Sequence, residues 1–235
     1  MQICFVFLRS IAFYIVSFIA TCILFIPALF GIILGNVSLI LSVSKIWASL
    51  VLTLLDFICG LKVKVIGLDN LKHQPVVIAA KHQSALETLF IYKYLDEGKY
   101  ILKNSLRYIP FLGTCFAKLG MIFIDRRSPL ASIRMIKAQA KELLALGKSI
   151  IIFPEGTRVA YGTAGKYSPG IAAIYEDSDA DIIPVALNTG KFWRRNSILK
   201  YPGVCFIEFL PPMPRNLSKD QFMNDLRQAI EEKCQ

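Results

Sequence analysis

A histidine and a carboxylate lie close together in the segment KHQSALE, which covers residues 81–87. A neutral imidazole can accept a proton from an alcohol that attacks a carbonyl group. A carboxylate beside the ring can fix its tautomer and stabilise the imidazolium that forms. The chain has only two histidines, and the other, His73, lies in a polar segment. His82 is therefore the candidate general base, and Glu87 is the residue that would orient it.

The spacing of these two residues constrains the backbone path between them. On a regular helix their side chains would lie roughly 140° apart, so they cannot meet if both are inside one helix. Ser84 and Glu87 have the spacing of a capping box, which would leave His82 in the loop before a helix. A bent entry to the helix would then bring imidazole and carboxylate together. The alternative is that Glu87 only caps the helix, and the sequence leaves both open.

Two arginines follow apolar, strand-like runs further along the chain. Arg126 ends the segment GMIFIDR (residues 120–126), and Arg158 ends the segment FPEGTR (residues 153–158). Guanidinium groups bind phosphate through paired hydrogen bonds, and the backbone amides of a glycine-containing turn can add to such a site. Lys103, at the end of another apolar run, would add a point charge. Taken separately, the two segments are also ordinary for a strand end and a tight turn.

A further segment, GTAGK at residues 162–166, resembles a phosphate-binding P-loop only in part. Ala160 stands where the first glycine of that motif belongs, and Tyr167 replaces the serine or threonine. The P-loop interpretation is therefore rejected. What remains is one base, one carboxylate and two guanidinium groups, a set that can hold a phosphate ester and deprotonate an alcohol.

Apolar runs that alternate with helical patterns predict the elements that position these groups. The predicted strands cover residues 61–67, 76–80, 100–103, 121–124, 150–153, 182–187 and 204–210. The predicted helices cover residues 84–95, 129–146, 170–175 and 219–232. This alternation predicts an α/β fold with a mixed, largely parallel sheet flanked by helices. His82, Arg126 and Arg158 then each lie just beyond a strand, where ligands collect in such folds.

The N-terminal part of the chain is set apart by its apolar composition. No charged residue occurs from Ser10 to Ser44, and one membrane-spanning helix needs about 20 apolar residues. The run fits one span with surplus or a helical hairpin, and Pro27 and Gly35 favour a bend. The apolar stretch that continues to Gly60 predicts an additional interfacial helix. A cleaved signal peptide has an apolar core of only about 7–15 residues, so a retained anchor is preferred.

These patterns divide the chain into an N-terminal membrane anchor, residues 1–59, and an α/β domain, residues 60–235. The formal net charge is +10, and nearly all of it lies in the domain. A basic domain suits anionic lipid head groups, acidic carrier proteins or nucleic acid. Beside an apolar anchor the membrane lipid is the natural partner and nucleic acid is not expected; a lysine-rich solubilising surface is the alternative. Lysines follow the apolar run, which places the domain on the cytoplasmic side of a bacterial-type cytoplasmic membrane.

The six cysteines show no close pairing along the chain. Neither a disulfide framework nor the ligand spacing of a zinc site can be recognised among them. The sequence therefore predicts unreactive thiols, a reducing compartment and no metal.

The motifs, taken in order, resemble those of the glycerolipid acyltransferase family, in particular its 1-acylglycerol-3-phosphate acyltransferases. His82 and Glu87 match the family's His-x4-Asp motif, with glutamate in place of the usual aspartate. Residues 120–126 look like the second motif, residues 153–158 match the third in full, and residues 183–186 are similar to the fourth. The resemblance extends over most of the α/β domain.

The resemblance implies transfer of a fatty acyl group from a thioester, acyl-CoA or acyl-carrier protein, to the 2-hydroxyl of lysophosphatidate, giving phosphatidate. His82 would be the general base and Glu87 would orient it. Substrate-binding roles would fall to Lys103, Arg126, Glu155, Gly156, Thr157, Arg158 and Pro184. The reaction would need no cofactor, no metal and no acyl-enzyme, because the thioester already has a good leaving group.

Two other functions stay open at this point. An acyltransferase for another lyso-lipid, such as a lyso-ornithine lipid or a lysophospholipid, would carry the same base and carboxylate. A non-catalytic, membrane-associated lipid-binding protein would keep the fold without the reaction. The basic and aromatic cluster KFWRR at residues 191–195 could touch lipid or carrier protein, or be a solvated loop.

Overall fold

The computed structural model describes residues 2–234 and begins with a helical hairpin. Its two helices are α1 (Gln2–Ile33) and α2 (Val37–Cys59). A tight turn joins them, in which Gly35 has a φ of 65° and the side chain of Asn36 caps α2. Both helices are long and apolar enough to cross a membrane.

The hairpin agrees with one of the two residues predicted to favour a bend. Pro27 lies inside α1 without ending it, and the chain reverses direction at Gly35, the other residue predicted to favour a bend. The helix predicted from Ser44 to Gly60 is present as part of α2, which begins earlier, at Val37, and continues unbroken; its interfacial position stays a prediction. The stretch contains neither glycine nor proline before Gly60, so helical hydrogen bonding has no reason to stop earlier.

One side of α2 packs along the α/β domain. Ser44 Oγ and Tyr92 Oη are 3.0 Å apart, and Lys45 Nζ donates to the carbonyl of Asp96 over 2.7 Å. Many large apolar side chains of α1 are instead exposed. The hairpin therefore has an inner side bound to the domain and an outer apolar side. The division into an anchor and a domain at residue 60 stays a prediction.

Within residues 2–234, seven strands form one sheet. They are β1 (Leu61–Ile66), β2 (Val77–Ala80), β3 (Lys99–Lys103), β4 (Ile122–Ile124), β5 (Ile150–Ile152), β6 (Ile182–Leu187) and β7 (Gly203–Phe209). The order across the sheet is β1-β7-β6-β2-β5-β3-β4. Only the β6–β7 pair is antiparallel, and the other neighbours are parallel. The predicted fold class is confirmed, and each strand lies within one residue of its predicted bounds.

The remaining helices of the described chain flank this sheet. They are α3 (Leu86–Tyr94), α4 (Leu112–Lys118), α5 (Pro129–Ala145), α6 (Gly170–Asp177), α7 (Thr189–Phe192) and α8 (Lys219–Lys233), with short 3-10 helices at Leu68–Leu71 and Asn104–Tyr108. The four predicted helices are confirmed as α3, α5, α6 and α8. The sequence did not predict α4 and α7, because one or two turns are too short to show a 3.6-residue period.

The core lies on both faces of the sheet, as the fully buried strand β2 illustrates. Val77 and Ala79 face the cluster formed by α5, α6 and α8, whereas Ile78 and Ala80 face the cluster that includes α2 and α3. Covered on both sides, such a strand is apolar at every position. Because β2 to β6 all run parallel in the sheet, their carboxyl ends meet at one edge. The candidate residues after each strand are thereby brought to that edge.

Candidate active site

The imidazole of His82 lies within a hydrogen bond of the carboxylate of Glu87. The Nδ1–H of the ring donates to Oε1 over 2.9 Å. The Glu87 side chain is fully buried, while His82 is 14% exposed. The ring stacks on Phe153 with centroids 3.9 Å apart, which restricts its rotation. The other ring nitrogen, Nε2, is left for a ligand in the cavity that His82 lines.

The same carboxylate oxygen also accepts hydrogen bonds from the backbone. Glu87 Oε1 receives the amides of Gln83 (2.8 Å) and Ser84 (2.6 Å), which is half of the predicted capping box. The other half differs: α3 begins at Leu86 rather than at Ser84, and Ser84 Oγ accepts from the Leu86 amide. Glu87 therefore holds both the loop and the imidazole, so the two alternatives raised by the sequence coexist in the geometry.

The second oxygen of this carboxylate reaches a different strand end. Glu87 Oε2 accepts a hydrogen bond from Thr189 Oγ1 over 2.7 Å, and Thr189 is fully buried. Thr189 follows β6, which runs parallel to β2, so it and His82 lie beyond equivalent ends of neighbouring strands. Sequence reasoning missed Thr189. Its place just beyond a predicted strand was the available signal.

Lys81, the neighbour of the candidate base, is the centre of a buried ion-pair network. Its Nζ donates to Glu155 Oε1 (2.7 Å), to both oxygens of Glu231 in α8 (2.6 and 2.8 Å) and to the carbonyl of Thr163 (2.8 Å). The side chains of Lys81 and Glu155 are fully buried. The network therefore ties β2 to the turn after β5 and to the C-terminal helix. Removing one partner from it would leave an uncompensated buried charge. Sequence reasoning missed both Lys81 and Glu231.

Tyr167 completes this network. Its hydroxyl donates to Glu231 Oε1 over 3.1 Å. Burial and, next, the charge of Glu231 raise the pKa of Tyr167. The phenol is therefore protonated and remains a donor at neutral pH.

Glu155, which the sequence assigns to the substrate pocket, reaches the cavity wall but uses its oxygens elsewhere. Oε2 accepts the backbone amide of His82 (3.1 Å), and Oε1 accepts the amide of Gly165 (2.9 Å) as well as Lys81. The amide of Val159 also donates to the carbonyl of His82 over 2.8 Å. The FPEGTR segment is thus bonded directly to the residue that carries the imidazole.

Three cationic side chains, those of Lys103, Arg126 and Arg158, line the same cavity as His82. Arg126 lies beside Gly156, because a Cβ added to that glycine would be 3.9 Å from the guanidinium carbon. Within residues 2–234, no hydrogen bond or ion pair engages the cationic groups of these three side chains. Burial lowers the pKa of Arg126, but a guanidinium remains charged at neutral pH. Three unpaired cations therefore share a cavity with the candidate base.

Arg127, the next residue, is engaged differently. It forms an exposed ion pair with Asp125, with Nη2 and Oδ2 2.6 Å apart. The hydrogen bonds from Arg127 lower the pKa of the Asp125 carboxyl to about 2. Of these two adjacent arginines, Arg126 lines the cavity and Arg127 does not.

The predicted turn in the FPEGTR segment is confirmed. The amide of Gly156 donates to the carbonyl of Phe153 over 2.9 Å, and Gly156 has a φ of 66°, a conformation that favours glycine. Thr157 follows as an exposed residue on the cavity wall. The turn therefore delivers Thr157 and Arg158 to the cavity.

The cavity has a volume of about 920 Å³ and a second, apolar part. This part is bounded by both helices of the hairpin and by α3 and α4, through side chains that include Phe25, Trp47, Leu89, Phe111 and Cys115. A cationic end joined to an apolar extension suits an amphipathic ligand.

Pro184 is the one predicted binding residue that the structure does not bring to this cavity. It lies within β6, paired with Ala79 of β2, and borders a separate cavity of about 370 Å³ beside α8. The assignment of Pro184 to the acyl or acceptor pocket is corrected, because the middle of a central strand is remote from the strand ends that form the site.

Comparison with known families bears directly on these motifs. The Acyltransferase family model matches residues 62–188, more than half of the chain. The chain belongs to this acyltransferase family. The matched residues include His82, Glu87, Arg126 and Arg158, so the candidate base and the unpaired guanidinium groups all lie in the segment that the family model matches.

Two curated relatives of this acyltransferase have the same name. A 1-acyl-sn-glycerol-3-phosphate acyltransferase of Pseudomonas aeruginosa is 34% identical over 185 residues, covering 79% of this chain and 72% of the relative. A protein of the same name from Borreliella burgdorferi is 34% identical over 145 residues, covering 60% of this chain and 58% of the relative. For the second relative the match thus spans little more than half its length.

A solved structure shares the acyltransferase's fold. The 1-acyl-sn-glycerophosphate acyltransferase PlsC of Thermotoga maritima superposes with a TM-score of 0.79 at 22% sequence identity, covering 100% of this chain and 96% of that one. The hairpin and the α/β domain are therefore both parts of a fold already seen in a solved structure.

Proposed function

We propose that this acyltransferase transfers a fatty acyl group from a thioester to the 2-hydroxyl of lysophosphatidate, giving phosphatidate. The names of the relatives support this acceptor. The observation that carries the proposal is the sharing of one cavity by the His82 imidazole and the unpaired Arg126 and Arg158 guanidinium groups. An acceptor with a hydroxyl and a phosphate can place the hydroxyl at the imidazole and the phosphate at the guanidinium groups.

His82 is the general base of this reaction. Nε2 accepts the proton of the 2-hydroxyl while its oxygen attacks the thioester carbonyl, so the new C–O bond forms and the C–S bond then breaks. The leaving thiolate takes the proton from the imidazolium. The buried carboxylate of Glu87 holds Nδ1–H at 2.9 Å and stabilises the transient positive charge on the ring. No covalent acyl-enzyme is required.

The phosphate of the acceptor is held by Arg126, Arg158 and Lys103. Arginine binds phosphate through a planar pair of donors and lysine as a point charge. The Arg126 guanidinium lies beside the turn at Gly156, and Thr157 adds a hydroxyl to the cavity wall. Binding energy from the phosphate then positions the hydroxyl against the base.

The apolar part of the cavity accommodates fatty acyl chains, and the hairpin attaches the enzyme to the membrane. Support comes from the apolar cavity wall contributed by both hairpin helices and from the exposed apolar side chains of α1. The domain lies on the cytoplasmic side of a bacterial-type membrane, where acyl-CoA and acyl-carrier protein serve as donors. The reaction uses neither a cofactor nor a metal.

The test is an acyl-transfer assay with purified protein in lipid vesicles, given lysophosphatidate and either acyl-CoA or acyl-carrier protein. We expect phosphatidate to form with at least one donor. The His82→Ala variant should lose about 100- to 10,000-fold in kcat, while Arg127→Ala should stay near wild type. Transfer that is unaffected in His82→Ala would overturn the role of the base.

The acceptor is tested by removing its phosphate. Monoacylglycerol should react far more slowly than lysophosphatidate, because it cannot engage the unpaired cations. Equal rates with both acceptors, or faster transfer to a lyso-ornithine lipid or a lysophospholipid, would overturn the proposed acceptor. Tight lipid binding without any transfer would instead identify a non-catalytic lipid-binding protein.

A further inference from the structure

The carboxylate of Glu87 depends on a residue that lies just outside the segment matched by the family model, which ends at residue 188. We infer that Thr189 is a positioning residue of this acyltransferase: its hydroxyl fixes the Glu87 carboxylate, and through it the His82 imidazole. The inference concerns the same site as the proposed function and rests on it for its kinetic test.

The two oxygens of Glu87 are used very unequally. Oε1 accepts three hydrogen bonds, from His82 Nδ1 and from the amides of Gln83 and Ser84. Oε2 accepts from Thr189 Oγ1 alone. The side chain is fully buried, so removing that hydroxyl would leave an unpartnered charged oxygen away from water. The carboxylate would then rotate or shift to recover a donor, and the imidazole would lose its fixed orientation.

Thr189 is itself held firmly in place. It opens α7, and its carbonyl accepts the amide of Trp193 over 2.9 Å. The next residue, Gly190, donates its amide to Gln83 Oε1 over 3.0 Å. A Cβ on Gly190 would lie only 2.8 Å from that of Gln83, so this close approach requires glycine. The bonds from Thr189 Oγ1 to Glu87 and from the Gly190 amide to Gln83 therefore join the segment after β6 to the segment after β2.

The length of the Glu87 side chain fits this arrangement. Glutamate stands here where the family motif usually has aspartate. An aspartate is one methylene shorter, so from the same backbone position it cannot hold the imidazole and Thr189 Oγ1 at their present distances. Thr189 does not line the cavity, so its effect on the reaction must pass through Glu87 rather than through the substrate.

The test compares Thr189→Val, which has nearly the same shape but no hydroxyl, with Thr189→Ser, which keeps the hydroxyl. We expect Thr189→Val to lower kcat about 10- to 100-fold with KM for lysophosphatidate unchanged, and Thr189→Ser to keep at least half of kcat. Thr53→Val is the matched control, because Thr53 is exposed and its hydroxyl bonds only within α2. In a Glu87→Ala background, Thr189→Val should have no further effect on kcat.

A spectroscopic measurement separates this inference from the proposed function. With nitrogen-15 label in the imidazoles, the chain gives signals from only two histidines, and His82→Ala identifies that of His82. The Nδ1–H signal of His82 should be present in wild type and Thr189→Ser, and be lost or shifted in Thr189→Val. An unchanged signal in Thr189→Val would overturn the inference even if the wild type proved to have another acceptor. So would equal loss of kcat in the valine and serine variants, or a rise in KM alone.

Discussion

The polar groups around the cavity fall into two regions that differ in how completely they are paired. Behind His82, the carboxylate of Glu87 accepts four hydrogen bonds, and Lys81 is surrounded by two carboxylates and a carbonyl. In the cavity, the cationic groups of Arg126 and Arg158 have no partner in the described chain, residues 2–234. One region is satisfied by the protein, and the other leaves its cations open to a ligand.

This difference separates two tasks that a catalytic site must perform. Groups that orient the base need to be rigid before the substrate arrives, and full pairing in a buried setting provides that rigidity. Groups that bind an anion need to be free, because an internal carboxylate would compete with the phosphate. Substitutions behind the base should therefore act on kcat, and substitutions among the unpaired cations should act on KM.

The largest expected effect is that of Glu87→Gln. A glutamine offers a single acceptor oxygen, so its amide group must point at one of the four donors that the carboxylate now serves. We expect kcat to fall by about 100-fold or more, with little change in KM, in a steady-state assay over a range of lysophosphatidate concentrations. Near-normal kcat would mean that Glu87 only caps α3.

The unpaired region is probed by Arg126→Gln and Arg158→Gln. Each should raise KM for lysophosphatidate about 10- to 100-fold, because a charge-assisted contact to the phosphate is lost. Arg127→Gln is the matched control, since Arg127 is paired with Asp125 on the exposed side. If the control raised KM as much as Arg126→Gln, the effect would come from general surface charge.

The buried network at Lys81 is probed through the last helix. Glu231→Gln removes the charge that faces Lys81 and should lower the free energy of unfolding by roughly 1–3 kcal/mol, with a several-fold loss in kcat. Glu232→Gln is the control on the adjacent position, where Glu232 accepts only from Gln228 at the surface. Glu231→Gln should unfold at a lower temperature and react more slowly than Glu232→Gln, as thermal unfolding and initial rates would show. Equal values would show that α8 does not position the base.

The smallest effect concerns Lys200, a buried lysine without a carboxylate partner in the described residues. Its Nζ meets the Tyr14 hydroxyl, two carbonyls and the rings of Tyr14 and Trp193. Burial lowers the pKa of Lys200 to about 8, below its ordinary value. The unfolded chain therefore binds more protons than the folded one above pH 8, and stability should rise with pH from there towards the ordinary pKa. The free energy of unfolding, measured as a function of pH, should show this rise in the wild type and not in Lys200→Met. The same pH profile in both proteins would contradict the prediction.

Much of the fold could be predicted because its signals are local. Seven apolar runs, separated by polar and turn-forming residues, predict the strands. Parallel pairing then brings the residues that follow these strands to one edge of the sheet. His82, Arg126 and Arg158 are placed correctly by that argument. Pro184 is not, because a proline inside a run says nothing about which cavity the strand borders. The hairpin was one of two alternatives, and the helix-breaking value of Pro27 was overestimated.

The parts that could not be predicted depend on contacts between distant segments. Lys81 reads as an ordinary charge before a helix, and nothing near it in the sequence indicates that Glu231 will face it across the fold. Thr189 likewise contacts a carboxylate from another strand end. Such pairs depend on how α7 and α8 pack on the sheet, and local patterns in the sequence do not show this packing.

The hydrogen bond from the Val159 amide to the His82 carbonyl has a consequence for which molecules can react. Because it is made by backbone atoms, side-chain exchange cannot remove it, and it ties the proposed base to the neighbour of Arg158. The main-chain positions from which His82 and Arg158 extend are thus held at a constant separation. We therefore expect an alcohol whose phosphate sits on a longer spacer than that of glycerol 3-phosphate to react more slowly, and transfer rates for a series of such alcohols would measure this.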